Sequence, residues 1–221
     1  MRSGGMHTVI FFLIITPMMH ASAFAQDDGD WQLWVQESLG GNLSEKWVVE
    51  GKEEFRFGKD MRELHSNRTG IGIAYIFTDR ISLSLNYTQI YDLKNGAWRE
   101  ENRTHTNLQF KWKAIGLTFE DRNRMEYRVR DDTEKSWRYR NKLTIALDVK
   151  WTKIQLQPFA ADEVFVDFKE DELNRNRFYV GVKAKLMKHL KTSLHYLWQS
   201  SKKGEDWVDF NIVGIDMKFA F

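Results

Sequence analysis

Apolar and polar residues alternate almost without a break from Trp31 to Phe221, and this constrains the fold more than any other feature of the chain. Period two is the strand repeat, because successive side chains of a pleated strand point to opposite faces; a helix face needs spacings of three and four. In 81–91, Ile81, Leu83, Leu85, Tyr87 and Tyr91 share one face, while Ser82, Ser84, Asn86 and Thr88 share the other. In 137–149, Trp137, Tyr139, Leu143, Ile145 and Leu147 oppose Arg138, Arg140, Lys142 and Thr144. The pattern divides into eleven strand-like segments, near 31–39, 46–57, 67–77, 80–92, 98–112, 115–130, 135–149, 152–168, 174–186, 189–200 and 206–221. No helical pattern separates them, so the expected fold is an all-β meander.

A meander of this kind closes in one of two senses. A soluble barrel turns its apolar face inward, whereas an outer-membrane barrel turns it toward lipid and lines its interior with polar groups. Several features favour the second sense. Trp31, Trp34, Trp98, Trp112, Trp137, Trp151, Trp198 and Trp207 gather near strand ends, as the aromatic girdles of a membrane barrel do. Short connections (78–79, 113–114, 150–151, 188–189) alternate with longer polar ones (58–66, 94–97, 131–134, 169–172, 202–205), matching short periplasmic turns and longer external loops. The chain ends on an alternating stretch closed by an aromatic, Met217-Lys218-Phe219-Ala220-Phe221. Nearly every segment also reaches the roughly 9–11 residues that a tilted strand needs to cross a bilayer.

The predicted fold is therefore an antiparallel up-and-down transmembrane β-barrel over 26–221. Single-chain bacterial barrels carry even strand numbers, which predicts ten strands, with 31–39 as a partial strand. The alternative is twelve, with Pro158 marking a break inside 152–168, because proline cannot donate to a ladder.

Residues 1–25 read as a secretory signal peptide. Arg2 and His7 precede the apolar run Val9–Met19, which is too short to span a membrane, and Ala23-Phe24-Ala25 fits a small-x-small cleavage site. The expected location is the bacterial outer membrane, with membrane lipid, lipopolysaccharide and the barrel-assembly machinery as partners. A net charge of +2 argues against a nucleic-acid partner. The absence of Cys excludes thiolate catalysis and Cys-based zinc sites, no His pair shows ligand spacing, and no metal or cofactor is expected.

Several short motifs recur along the chain: Trp31-x-Leu33-Trp34, Lys46-Trp47, Glu53-Glu54-Phe55-Arg56 and Glu101-x-Arg103. Further on come the run Arg122–Arg128, the triplet Arg138-Tyr139-Arg140, and Glu163-Val164-Phe165 followed by Arg175-Asn176-Arg177. Together these resemble the DUF2490 family of bacterial proteins of uncharacterised function. The resemblance covers most of the chain after residue 25. It implies an outer-membrane-type barrel and supplies no active-site residues.

With the polar face turned inward, basic residues in the interior outnumber acidic ones by about two to one. Candidate anion contacts are Arg103, Arg122, Arg124, Arg128, Arg138, Arg140, Lys142, Arg175 and Arg177, with Glu54, Glu101, Glu120, Glu126 and Glu163 as acidic partners. Two readings of such an interior are a narrow pathway for anionic small solutes and a structural plug of paired charges. A barrel hydrolase is a third reading, resting on His105, on Ser193 with His195, or on the acidic pairs Asp131-Asp132 and Glu100-Glu101. Ser193 and His195 lie about 7 Å apart along one strand, too far for a direct hydrogen bond. A soluble periplasmic barrel with an apolar ligand is the fourth.

Overall fold

A computed structural model describes residues 28–131, 133–149, 151–170 and 172–221. The expected signal peptide, 1–25, lies outside them. Eleven strands make up the described fold: β1 (Asp30–Asn42), β2 (Trp47–Gly58), β3 (Glu63–Thr78), β4 (Ile81–Lys94), β5 (Ala97–Ala114), β6 (Leu117–Arg130), β7 (Ser136–Leu147), β8 (Gln157–Asp167), β9 (Glu172–Met187), β10 (Leu190–Lys203) and β11 (Asp206–Ala220). Each pairs antiparallel with its sequence neighbour, and β1 pairs with β11 to close the sheet into a barrel.

The expectation of ten strands is corrected by β1. It is a full strand of 13 residues, laddered to β2 on one side and to β11 on the other. An odd number of up-and-down strands leaves the first and last running in the same direction, so the closing ladder must be parallel. It is, from Asp30↔Phe210 to Gly40↔Ala220. Parallel ladders use evenly spaced, slanted bonds, only slightly weaker per residue than antiparallel ones. Twelve strands fail as well. Pro158 is the second residue of β8, where a missing donor is tolerated, and the preceding residues form a turn bridged by Trp151↔Leu156.

The expected rhythm of short and long connections is also corrected. The rim where β1 begins, here the upper rim, carries the connections 59–62, 95–96, 131–135, 168–171 and 204–205. The lower rim, where β11 ends, carries 43–46, 79–80, 115–116, 148–156 and 188–189. Two-residue turns therefore occur at both rims. Asn95-Gly96 at the upper rim has φ of 50° and 77°, the left-handed pair of a type I′ turn, whose twist matches that of its flanking strands.

Burial shows which face is which. Outward-pointing Leu85 and Trp137 are 54% and 51% exposed, whereas inward-pointing Glu126 and Glu163 are 0% exposed. Aromatics form two outer belts. Near the lower rim, Trp47 and Phe77 flank Tyr75 with centroids 4.9 Å apart on each side, and Trp112 stacks on Phe119 at 5.2 Å. Near the upper rim, Tyr127 packs on Trp137 at 4.9 Å and Trp31 on Tyr196 at 6.1 Å. Trp34 does not join them: it points inward and is buried.

The outer face also carries carboxylates, and amides meet them. Asp121 accepts from Asn123 at 2.8 Å and Asn141 at 2.6 Å, Asp162 from Asn176 at 3.0 Å, and Glu53 from Asn67 at 2.6 Å. Glu100 accepts from Gln89 and Asn102, each at 2.9 Å.

Candidate functional site: the charged interior

Because side chains alternate, every second residue of each strand projects into the barrel. Cross-strand register then brings arginines of β5, β6, β7 and β9 around a few carboxylates. Glu126 accepts from Arg138 at 2.6 and 2.8 Å and from Arg140 at 2.8 Å, with Arg124 at 3.5 Å and Arg103 at 3.8 Å. Glu163 accepts from Arg122 at 2.6 Å, from Arg140 at 2.7 Å and from the Tyr179 hydroxyl at 2.9 Å, with Arg177 at 3.5 Å. Nearer the upper rim, Glu101 accepts from Arg103 at 2.5 and 2.8 Å, from Arg128 at 3.0 Å through each oxygen, and from Arg130 at 2.8 Å. Arg128 also reaches Asp167 at 3.3 Å. Glu54 pairs with Arg56 on its own strand.

Two aromatics complete this layer. Phe165 is 0% exposed, and the guanidinium carbons of Arg140, Arg177, Arg138 and Arg175 lie 4.4, 4.8, 5.3 and 5.5 Å from its ring centre. Trp34 lies under Arg56 at 3.4 Å and Arg177 at 4.8 Å. A ring face attracts a cation, more strongly when both are desolvated. In β8 Phe165 falls in step with Glu163 and Asp167 on the inward face. What the alternation could not supply was the clustering of four guanidiniums from two other strands around that ring.

The fourteen residues expected to line the interior all project into it, but they do different things. Arg103, Arg122, Arg128, Arg138, Arg140 and Arg177 join Glu101, Glu126 and Glu163 in the paired layer. Arg124 donates to Asn107 at 2.6 Å and Arg175 to Ser201 at 3.0 Å. Glu120 lines a cavity toward the lower rim, and the Lys142 ammonium sits 3.6 Å above the Tyr179 ring.

The interior is asymmetric along its axis. At the upper rim the inward residues Ser66, Ser136, Asp167 and Ser201 are buried. At the lower rim the inward residues Lys111, Lys185, Lys191 and Lys218 are exposed. Between them lie two adjoining cavities of about 200 and 150 Å³, which share Arg122, Lys142, Tyr179, His195 and Asp216 as walls. The larger is lined by nine cations (Lys52, Arg56, Arg68, Arg103, Arg122, Arg124, Arg140, Lys142 and Arg177) against three carboxylates (Glu54, Glu163 and Asp216). The result is a basic chamber that lies between exposed lysines below and a layer of paired charge above.

Glycine shapes one wall of it. His195 is flanked across its ladders by Gly181 and Gly214, and a Cβ at position 214 would overlap the imidazole. Gly214→Ala is expected to push His195 off its rotamer and cost about 1–3 kcal/mol, read as a lowered urea midpoint of the folded barrel.

Of the candidate hydrolase groups, the Ser193–His195 pair is not assembled, and Asp132 of the pair Asp131-Asp132 lies outside the described residues. The Ser193 hydroxyl donates to Asp216 at 2.6 Å, and His195 Nδ1 stands 3.7 Å from the same carboxylate. The carboxylate thus lies between serine and histidine, where a serine nucleophile needs the imidazole beside it.

No curated relative matches the sequence. Among solved structures, LpxR from Salmonella typhimurium is similar in fold, with a TM-score of 0.51 at 9% identity, over 83% of this chain and 87% of that one. At that identity the likeness concerns the barrel alone. The family model for the protein of unknown function DUF2490 matches residues 31–209, and the chain belongs to that family.

Proposed function

We propose that this chain is an integral outer-membrane β-barrel of a Gram-negative bacterium, exported behind a cleaved leader at 1–25, whose interior is closed by ion pairs and does not conduct. The observation that carries the reading is the inverted polarity: fully buried Glu126 and Glu163 inside, half-exposed Leu85 and Trp137 outside. In water this arrangement forfeits burial of apolar surface, worth about 25 cal/mol per Å², and desolvates charges at the same time. Facing acyl chains, the same outer surface is favourable, and a closed barrel leaves no unpaired strand edge in lipid. The outer carboxylates are the costliest groups to place there, and their amide donors lower that cost. The partners this reading implies are membrane lipid, lipopolysaccharide at the outer rim, and the barrel-assembly machinery.

The test is reconstitution. Refolded protein is expected to resist carbonate extraction from liposomes and to give no unitary current steps in planar bilayers. Release by carbonate would refute the membrane assignment. Regular conductance steps would refute the plug.

A further inference from the structure

We propose that the chamber below the plug is a binding site for one compact oxyanion, either inorganic phosphate or the phosphoryl end of a larger molecule entering through the lower rim. The proposal rests on the barrel being oriented and plugged as described above, and it adds a ligand to that reading.

The argument begins with charge that the plug does not use. Arginines of the paired layer meet carboxylates within 4 Å, for instance Arg138 on Glu126 and Arg122 on Glu163. Lys52 and Lys142, which also face the chamber, have no carboxylate within that distance and no hydrogen-bond acceptor among the described residues. Lys142 lies over the Tyr179 ring, and its cross-strand neighbour Glu163 is beyond ion-pair distance. An enclosed ammonium without a direct ion pair is costly, and an oxyanion in the chamber that reaches it lowers that cost.

A second observation is independent of net charge. Of five buried side-chain atoms without a hydrogen-bond partner among the described residues, three are on side chains that line the chamber, Arg122 Nε, His105 Nδ1 and His195 Nδ1; the other two, His65 Nε2 and Ser136 Oγ, are on residues that do not. Buried polar atoms are nearly always satisfied, so several orphans around one cavity mark a place built for a partner. A tetrahedral oxyanion presents acceptors in several directions at once. Guanidinium forks and ammonium groups are the usual donors to it, in short charge-assisted bonds.

Size and access agree. A cavity of about 200 Å³ joined to one of about 150 Å³ admits a phosphate-sized group and excludes a folded polymer. Lys111, Lys185 and Lys191 at the lower rim raise the local concentration of anions at the mouth, where Lys218 is paired with Glu50, while the buried layer above blocks onward passage. The chamber is therefore a dead end that holds an anion.

The experiment is calorimetric titration of the refolded, full-length barrel in detergent with inorganic phosphate and, in a separate arm, with glycerol 3-phosphate. One site per barrel is expected, weakened at least tenfold by Lys142→Gln and independently by Lys52→Gln. Lys169→Gln at the upper rim should leave it unchanged. Tighter binding of glycerol 3-phosphate identifies a phosphoryl group on a larger molecule as the ligand, and tighter binding of phosphate identifies the free ion; either supports the site. Heat-modifiable gel migration and circular dichroism establish that each variant is folded. Absence of binding by the folded wild type, or binding as tight as wild type in either lysine variant, overturns the proposal. The bilayer recording separates this from the plug: a barrel that binds phosphate yet conducts keeps the site and loses the plug, and one that neither conducts nor binds keeps the plug and loses the site.

Discussion

Replacing Glu163 by glutamine is expected to destabilise the barrel by about 3–5 kcal/mol, the cost of breaking a buried ion pair from one side. The substitution barely changes volume, so packing is not the cause. The carboxylate accepts from Arg122, Arg140 and Tyr179 and lies 3.5 Å from Arg177. A glutamine keeps one acceptor oxygen and turns an amide donor toward guanidiniums that are themselves donors only. Three arginines then face one another without their shared anion. Urea unfolding of wild type and Glu163→Gln, with the m-value checked for constancy, measures the difference. A loss below about 0.5 kcal/mol, the range of an ordinary surface substitution, would show that the paired layer does not hold the barrel together. Glu126→Gln should behave alike, because Glu126 serves Arg138 and Arg140 in the same way.

The second large effect concerns the outer face. Leu85→Arg, at an outward position in the middle of β4, is expected to cost about 2–4 kcal/mol in a bilayer, while Leu186→Arg, near the lower end of β9, costs about 0–1 kcal/mol. Both leucines are exposed, at 54% and 49%. In water the two substitutions would be equally mild. The depth dependence, read from urea unfolding in phospholipid vesicles, thus reports on lipid contact directly. Equal and small costs at both positions would remove the protein from the membrane.

The strands and their facing were legible because alternation is a property of each segment by itself. Arg138 and Trp137 sit on opposite faces whatever the neighbouring strands do. The strand count was harder, because 31–39 alternates like a strand but the even strand numbers of single-chain bacterial barrels demote it; its place is decided by its ladder to β11, far away in sequence. Pairing across the interior was not legible either. Arg122 on β6 meets Glu163 on β8 over an intervening strand, and that depends on tilt and curvature as well as register. The same holds for Trp34. Its spacing from Trp31 invites an interface reading, yet three residues along a strand change the face, and the ring ends under Arg56 and Arg177.

The parallel closure bears on assembly. Ten of the eleven ladders join consecutive strands and form between near neighbours in the chain. The last must bring together segments some 180 residues apart, as when Asp209 N–H finds the Asp28 carboxylate at 2.7 Å. Loop-closure entropy falls most heavily on that step, and until it is taken two strand edges stand open side by side. Closing a meander onto its own first strand thus gives this barrel a single long-range suture, which the odd strand count makes parallel. Mutations along Asp30–Gly40 should therefore slow folding by less than they hasten unfolding.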